Sequence, residues 1–427
     1  MAVSVADAPY EGSFTVVGQP LVYRFSSSTA MGTKKYSVRV KQNGTEIATY
    51  LLTPNEADDA FFDLNTLAEN LVEAPESVGT NPIHSSNNAN RVFKTPSVNG
   101  CVKFGVAVAE YDGGTTGGYT ADSEVLLLPG NFTTAEGQPS LTQFMMQYNM
   151  GDDGENQQTF MSEVPSVVDA AEGHQTTWYM STEDEGVSHF MYSSTFANTD
   201  ASVRLAMSVQ NDTGGVLDSL STTLVSTLMA SSETTSDPQR MHCVVQVGPK
   251  NIASLMSWTE NTLTNWDQIL IYLRSNGANE EYGWLLIKRA DVCHKAQIAW
   301  VNKYGSWDYI GFSGFTNETM NTKRKTIMKR LGDWNSANDY AAYAHSRVND
   351  VYRVTGTTQY TLTKVFDSAQ DALLLESCQR SRKHMVRIGD DWFPVVLDTG
   401  SIRVERSPRA KAPQVTLKCT LAQPVLC

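Results

Sequence analysis

Between residues 36 and 52 the chain spells out a hairpin, and that stretch confines the fold more than any other. In Tyr36-Ser37-Val38-Arg39-Val40 apolar and polar side chains alternate, the period of a strand with one face buried. Asn43-Gly44 follows, and Ile47 to Leu52 resumes an extended pattern. A two-residue Asn-Gly link requires φ > 0 at both positions, which these residues tolerate, so two antiparallel strands are predicted. Leu21–Phe25, Cys101–Glu110 and Glu124–Leu128 read as further strands, and Phe61–Val72 as a short helix crossing one end. Short strands with Gly-rich turns predict an immunoglobulin-like sandwich over residues 1–130, closed by the breaker Pro129-Gly130.

The pattern recurs beyond that breaker. Candidate strands are Thr177–Met180, Ser188–Tyr192, Val203–Val209, His242–Val247, Gln268–Leu273 and Gly283–Lys288, and an aromatic-rich hairpin, Trp300–Phe312, ends the region. Tyr36–Gly44 and Val203–Asn211 are alike enough to fit two related sandwiches. Asp367-Ser368 is a plausible N-cap for a helix over Ala369–Ser377. Met385–Ile388, Trp392–Leu397, Ser401–Glu405 and Gln414–Leu421 read as closing strands. The expected fold is mainly β: two immunoglobulin-like β-sandwich domains (1–130 and 131–314), then a smaller mixed, β-rich C-terminal α+β domain (315–427).

Composition narrows the class. With 19% charged and 41% hydrophobic residues in 427, the chain is globular rather than disordered. No stretch approaches the run of about 18 apolar residues needed to span a bilayer, and the start lacks the pattern of a secretory signal. A soluble protein made in the cytoplasm is expected. Six cysteines, at 101, 243, 293, 378, 419 and 427, form no CxxC and read as free thiols. The Asn211 and Asn317 glycosylation matches therefore carry no meaning. A formal charge of −13 argues against general nucleic-acid binding. The charge is unevenly placed: residues 104–203 hold fifteen acids and no Lys or Arg, whereas 380–427 is net +5. Such a chain could dock acidic middle against the basic end of a neighbour; the alternatives are two solvated faces, or an acidic channel lining that repels DNA.

No motif completes a catalytic set. Val395-Val396-Leu397-Asp398-Thr399-Gly400-Ser401 has the aspartic-protease look, but that chemistry shares a proton between two carboxylates and no second such motif exists. A strand ending in an Asp-Gly turn is the expectation. His242-Cys243 and Cys293-His294 are neighbours that point to opposite faces of a strand, so each pair offers one metal ligand at most. Asp152-Asp153-Gly154-Glu155-Asn156 has calcium-type oxygens without the alternating loop pattern. No enzyme activity, metal or other cofactor is expected. Trp300, Tyr304, Trp307, Tyr309 and Phe312 read either as core or as an aromatic platform for a sugar or a partner subunit. With Lys323, Arg324 and Lys325 of the basic cluster they form the candidate interface.

Three segments together resemble a family of virion proteins of tailed phages. They are Gln19–Phe25 with Asn43–Ala48 and Phe62-Asp63-Leu64; Trp300-Val301-Asn302-Lys303-Tyr304-Gly305-Ser306-Trp307-Asp308; and the tail from Leu373–Ser377 through Val395-Val396-Leu397 to Leu421-Ala422. The Trp-x-Asn-x-Tyr-Gly-x-Trp-Asp segment is the most specific. The resemblance implies an architectural role in the virion: a tail, collar or ring-type component acting as a homo-oligomer beside other virion proteins. It brings no catalytic residues and no sequence-specific nucleic acid. The alternative is a capsid-decoration or carbohydrate-binding adhesion protein of the same particle, with a host-surface glycan as partner.

Overall fold

The computed structural model describes residues 3–9, 14–73, 77–78, 81–82, 92–94, 102–130, 161–164, 166–169, 173–191, 203–223, 242–275, 281–290, 293–314, 317–328, 333–334, 340–341, 349–365, 369–398, 414–422 and 425–426. Strands dominate, in several sheets.

The N-terminal domain packs two sheets face to face. One is β1 (Val3–Asp7), β3 (Val22–Ser27) and β6 (Ala60–Asp63), in the order β1-β3-β6. The other runs β2-β9-β8-β4-β5, from β2 (Phe14–Val16), β4 (Lys35–Gln42), β5 (Thr45–Leu52), β8 (Val102–Asp112) and β9 (Ser123–Leu128). Alternate residues meet between them: Tyr23 and Phe25 from one face, Tyr36, Val38, Val40, Phe104, Val106 and Val108 from the other, all buried. Asn43 (φ 50°) and Gly44 (φ 82°) make the expected turn. The helix expected over 61–72 is not one element. Residues 60–63 pair with β3, and only α1 (Asn65–Ala68) is helical. The Asp63 carboxylate sets the switch, accepting the N–H groups of Leu21 and Asn65. A short strand, β7 (Val92–Lys94), leaves this domain to pair with β15 (His242–Gln246).

A second core runs through the rest of the described chain, from Val164 to Cys419. One of its sheets is β10 (Ser166–Asp169), β11 (Gly173–Met180), β17 (Glu281–Arg289), β16 (Gln268–Ser275), β13 (Val203–Gln210) and β14 (Val216–Thr223), in that spatial order. Beside it lie the three-stranded sheet β12 (Val187–Met191), β15 and β7, and helices α2 (Pro249–Met256) and α3 (Glu260–Asn265). The last sheet runs β19-β18-β22-β23-β24-β21-β20. Its members are β18 (Ala296–Val301), β19 (Trp307–Phe312), β20 (Asn317–Met328), β21 (Asn349–Val365), β22 (His384–Ile388), β23 (Asp391–Leu397) and β24 (Gln414–Leu421), with β25 (Val425–Leu426) on β21. Helix α4 (Ala369–Arg380) precedes β22. The boundary expected at 314/315 falls between β19 and β20, which belong to one sheet. The expected strand at 401–405 and the cap at 367–368 lie outside the described residues.

Candidate assembly surface

The aromatic hairpin faces inward. Trp300, Trp307 and Phe312 have no exposed surface, and Tyr309 is 8% exposed. Only Tyr304 of the five keeps partial access, under the Lys303 ammonium at 5.0 Å from its ring centre. A platform for sugar or partner therefore cannot be built from these rings as they stand; they pack the core. Their polar atoms are tied down as well. Trp300 donates its indole N–H to Ser377 (2.9 Å), and the Tyr309 hydroxyl accepts the N–H of Val187 (2.9 Å).

The polar residues of the same segment form a clamp. Asn302 accepts the N–H groups of Tyr304 and Ser306 through Oδ1. Its Nδ2 donates to the Met161 carbonyl and to Asp308. Asp308 also accepts the Ser162 hydroxyl (2.6 Å) and the Glu163 N–H (2.9 Å), so the turn staples residues 161–164 across the hairpin. Burial raises the Asp308 carboxyl to about 7, against the opposing pull of these hydrogen bonds. Gly305 (φ 85°) lets the turn meet Pro129, 2.9 Å from the position a Cβ would take. The most specific sequence motif is thus a device that holds three segments together.

The acidic middle and the basic end do meet, but inside one chain. Arg387 reaches Asp184 (3.1 Å) and the carbonyl of Glu183, and Asp184 also holds His294 (2.5 Å); all three side chains are nearly inaccessible. Arg380 lies 3.8 Å from Glu163. Arg382 and Lys383 pair with Glu69 (3.0 Å) and Glu73 (3.8 Å) across a cleft of about 260 Å³ between the N-terminal domain and α4. Of these acids Asp184 and Glu163 belong to the stretch 104–203, and Arg403, Arg406, Arg409 and Lys411 of the basic end lie outside the described residues.

Cys293 and His294 lie before β18 rather than on a strand; Cys293 is exposed and His294 buried. His242 and Cys243 lie on β15, and the loop 152–156 lies outside the described residues. Among the described residues no three His, Cys, Asp or Glu side chains gather as metal ligands. Asp398 is exposed and accepts hydrogen bonds from Gln359 (3.0 Å) and Thr420.

The surface that stands out was only partly foreseen. Lys323, Arg324 and Lys325 lie on β20, a twelve-residue strand in which every residue is exposed. It pairs with β21 along its whole length, and this arm leaves an open edge on β20 of about 40 Å at roughly 3.3 Å per residue; β21 is backed by β25 at Thr355-Gly356 and by β24 from Gln359, so only 324–328 and 349–354 stand as two strands alone. The inner part of β21 buries Tyr360 and Leu362 in the body; its outer part, Val351 to Arg353, is exposed. The arm carries Met320, Ile327, Met328, Val351 and Tyr352 at 44–76% exposure. Lys325 sits directly opposite Arg353, two like charges that a cross-strand pair disfavours. Among the described residues no carboxylate pairs with either, nor with Lys323 or Arg324.

No protein-family model matches the chain, and no curated protein does. Among solved structures, a chain of the "tail of empty GTA particle" with C6 symmetry is 13% identical, covering 31% of this chain and 96% of that one at a TM-score of 0.20. The fibronectin(III)-like modules of Clostridium thermocellum CbhA are 10% identical, with 68% and 97% covered and a TM-score of 0.16. The FN1–FN3 domains of chicken CNTN1 are 7% identical, with 84% and 91% covered and a TM-score of 0.17. Scores this low leave fold and role to be argued from the residues themselves.

Proposed function

We propose that this chain is an architectural subunit of a tailed-phage particle, a tail, collar or ring-type component that works by assembling rather than by chemistry. The observation that carries the reading is the arm: a long strand edge, apolar and basic, that no described residue covers. An uncovered strand edge invites pairing and aggregation, and solitary proteins keep such edges short or capped. Retaining one about 40 Å long fits a subunit whose neighbours cover it. The sequence resemblance to virion proteins of tailed phages supports the same reading. Electron cryo-microscopy and peptide mapping of purified particles test the proposal. The expected result is this chain in several copies around the particle axis. Particles that lack it would end the reading.

A further inference from the structure

The N-terminal domain has an open edge that matches the arm in several respects. β5 is the last strand of its sheet, and among the described residues nothing pairs with its outer side. Beside it runs β6, the last strand of the facing sheet, joined to β5 by the Tyr50–Phe62 ring contact at 5.1 Å. This seam exposes Ile47 (38%), Leu51 (48%) and Phe61 (55%). From Thr45 to Asp63 the chain has five acids and no Lys or Arg, and Lys41, opposite Glu46 on β4, is held by Asp122. Glu69 and Glu73 are engaged by the basic end, but Glu46, Glu56 and Asp63 have no cationic partner among the described residues. The seam is therefore acidic, apolar and unpaired, whereas the arm is basic, apolar and unpaired.

We infer that the arm of one copy lies along the β5–β6 seam of a second copy, adding β20 to the edge of β5. Strand addition joins main-chain donors and acceptors that both edges leave unmade, and side chains then choose the partner. Here Lys323 and Lys325, two positions and so about 7 Å apart on one side of β20, would straddle Glu46 of β5, which also relieves the Lys325–Arg353 repulsion. Two arms pairing with each other would bring those lysines toward like charges, so arm-to-arm contact is disfavoured. The contact joins different surfaces of the two copies, and repeated, it yields a ring or an open filament. The inference rests on the assembly reading above and specifies its contact.

The test uses the full chain. Association is followed by light scattering, and hydrogen–deuterium exchange is measured below and above the assembling concentration. Slowed exchange is expected in both 45–52 and 317–328 on assembly. Lys323→Glu with Lys325→Glu is expected to weaken association about tenfold or more, and so is Glu46→Lys. The three substitutions together should restore much of it, because the signs are exchanged. Assembly without protection of 45–52 would overturn this contact while leaving the architectural role standing. So would a three-fold variant that stays as dissociated as either parent. A short DNA duplex is included as a competitor. If the arm retains DNA and its reversal leaves the oligomer mass unchanged, the basic strip serves a nucleic acid and the inference fails. Chains that remain at the 47.0 kDa monomer mass at every concentration would remove the contact, while particle maps would still decide the wider role.

Discussion

Gly311 shows how tightly single residues are committed in this core. A Cβ there would lie 1.9 Å from the Nδ1 atom of His294, the atom that binds Asp184. Gly311→Ala must therefore displace the imidazole. It is expected to destabilise the fold by about 1–3 kcal/mol or more, read as a lower denaturant midpoint. A midpoint equal to wild type would mean that the ring has room to retreat. Asp308 gives a different signature. Folded, its carboxyl keeps the proton up to about pH 7; unfolded, it loses the proton near 4. Between those values the folded chain binds more protons, so this group's contribution to stability falls as pH rises through the window and levels off above it. The full span is on the order of 4 kcal/mol. Urea titrations from pH 4 to 8 should show that slope in wild type and a flatter one in Asp308→Asn. An unchanged slope would place the titration elsewhere. Neither residue's role was legible from sequence. Asp308 sits in a motif that could be singled out, but its partners Ser162 and Glu163 lie nearly 150 residues away. Nothing local marks Gly311 as the floor beneath a histidine.

Elements with one buried face could be read from the sequence, and elements without one could not. β4, β8, β9, β13, β16, β22 and β24 all fall where strands are expected, and in β4 it is the alternation of Tyr36–Val40 that marks the strand. β20 has no buried face, so Asn317–Met328 carries no alternation, with Met320, Ile327 and Met328 scattered among polar and charged residues, and its sequence reads as a charge cluster rather than a strand. The 61–72 helix failed for another reason: Phe61-Phe62-Asp63 has helix-compatible residues, but pairing with β3 and the Asp63 hydrogen bonds outweigh local propensity. In β19 the burial of every residue, not alternation, is the signal. Trp307→Ala is accordingly expected to cost about 3–5 kcal/mol, measured by chemical unfolding, and a near-neutral result would mean that the hairpin tolerates a void. The cysteines provide a check on packing between α4 and β24. Cys378 and Cys419 are buried, and burial raises both thiols, Cys419 to about 12, while Cys293 is exposed. Alkylation at pH 8 under native conditions should modify Cys293 and spare the other two until the protein unfolds; native labelling of Cys378 would mean that α4 opens readily.

At the scale of the whole molecule, charge asymmetry was visible in the sequence but its destination was not. Composition shows that acids and bases are segregated along the chain; it cannot show whether they meet within one copy or between two. Here Asp184, Glu163, Glu69 and Glu73 receive Arg387, Arg380, Arg382 and Lys383 of the same chain, whereas Lys323, Arg324 and Lys325 of the arm meet no carboxylate among the described residues. Domain limits were also only partly readable, because chain breakers mark turns, whereas the long-range pairing of β7 with β15 leaves no local trace. The position of β24 has a further consequence, for synthesis. This strand lies between β23 and β21 and so ties the arm's inner strand to the body of the sheet. At about 5–20 residues per second, a ribosome that has finished β21 needs several more seconds to supply residues 414–421. During that interval the arm and the body each present a raw edge, and nascent neighbours could pair there in the wrong order. A chain cut short before Gln414 would stay in that state, so the architecture itself distinguishes chains that carry β24 from those interrupted before it.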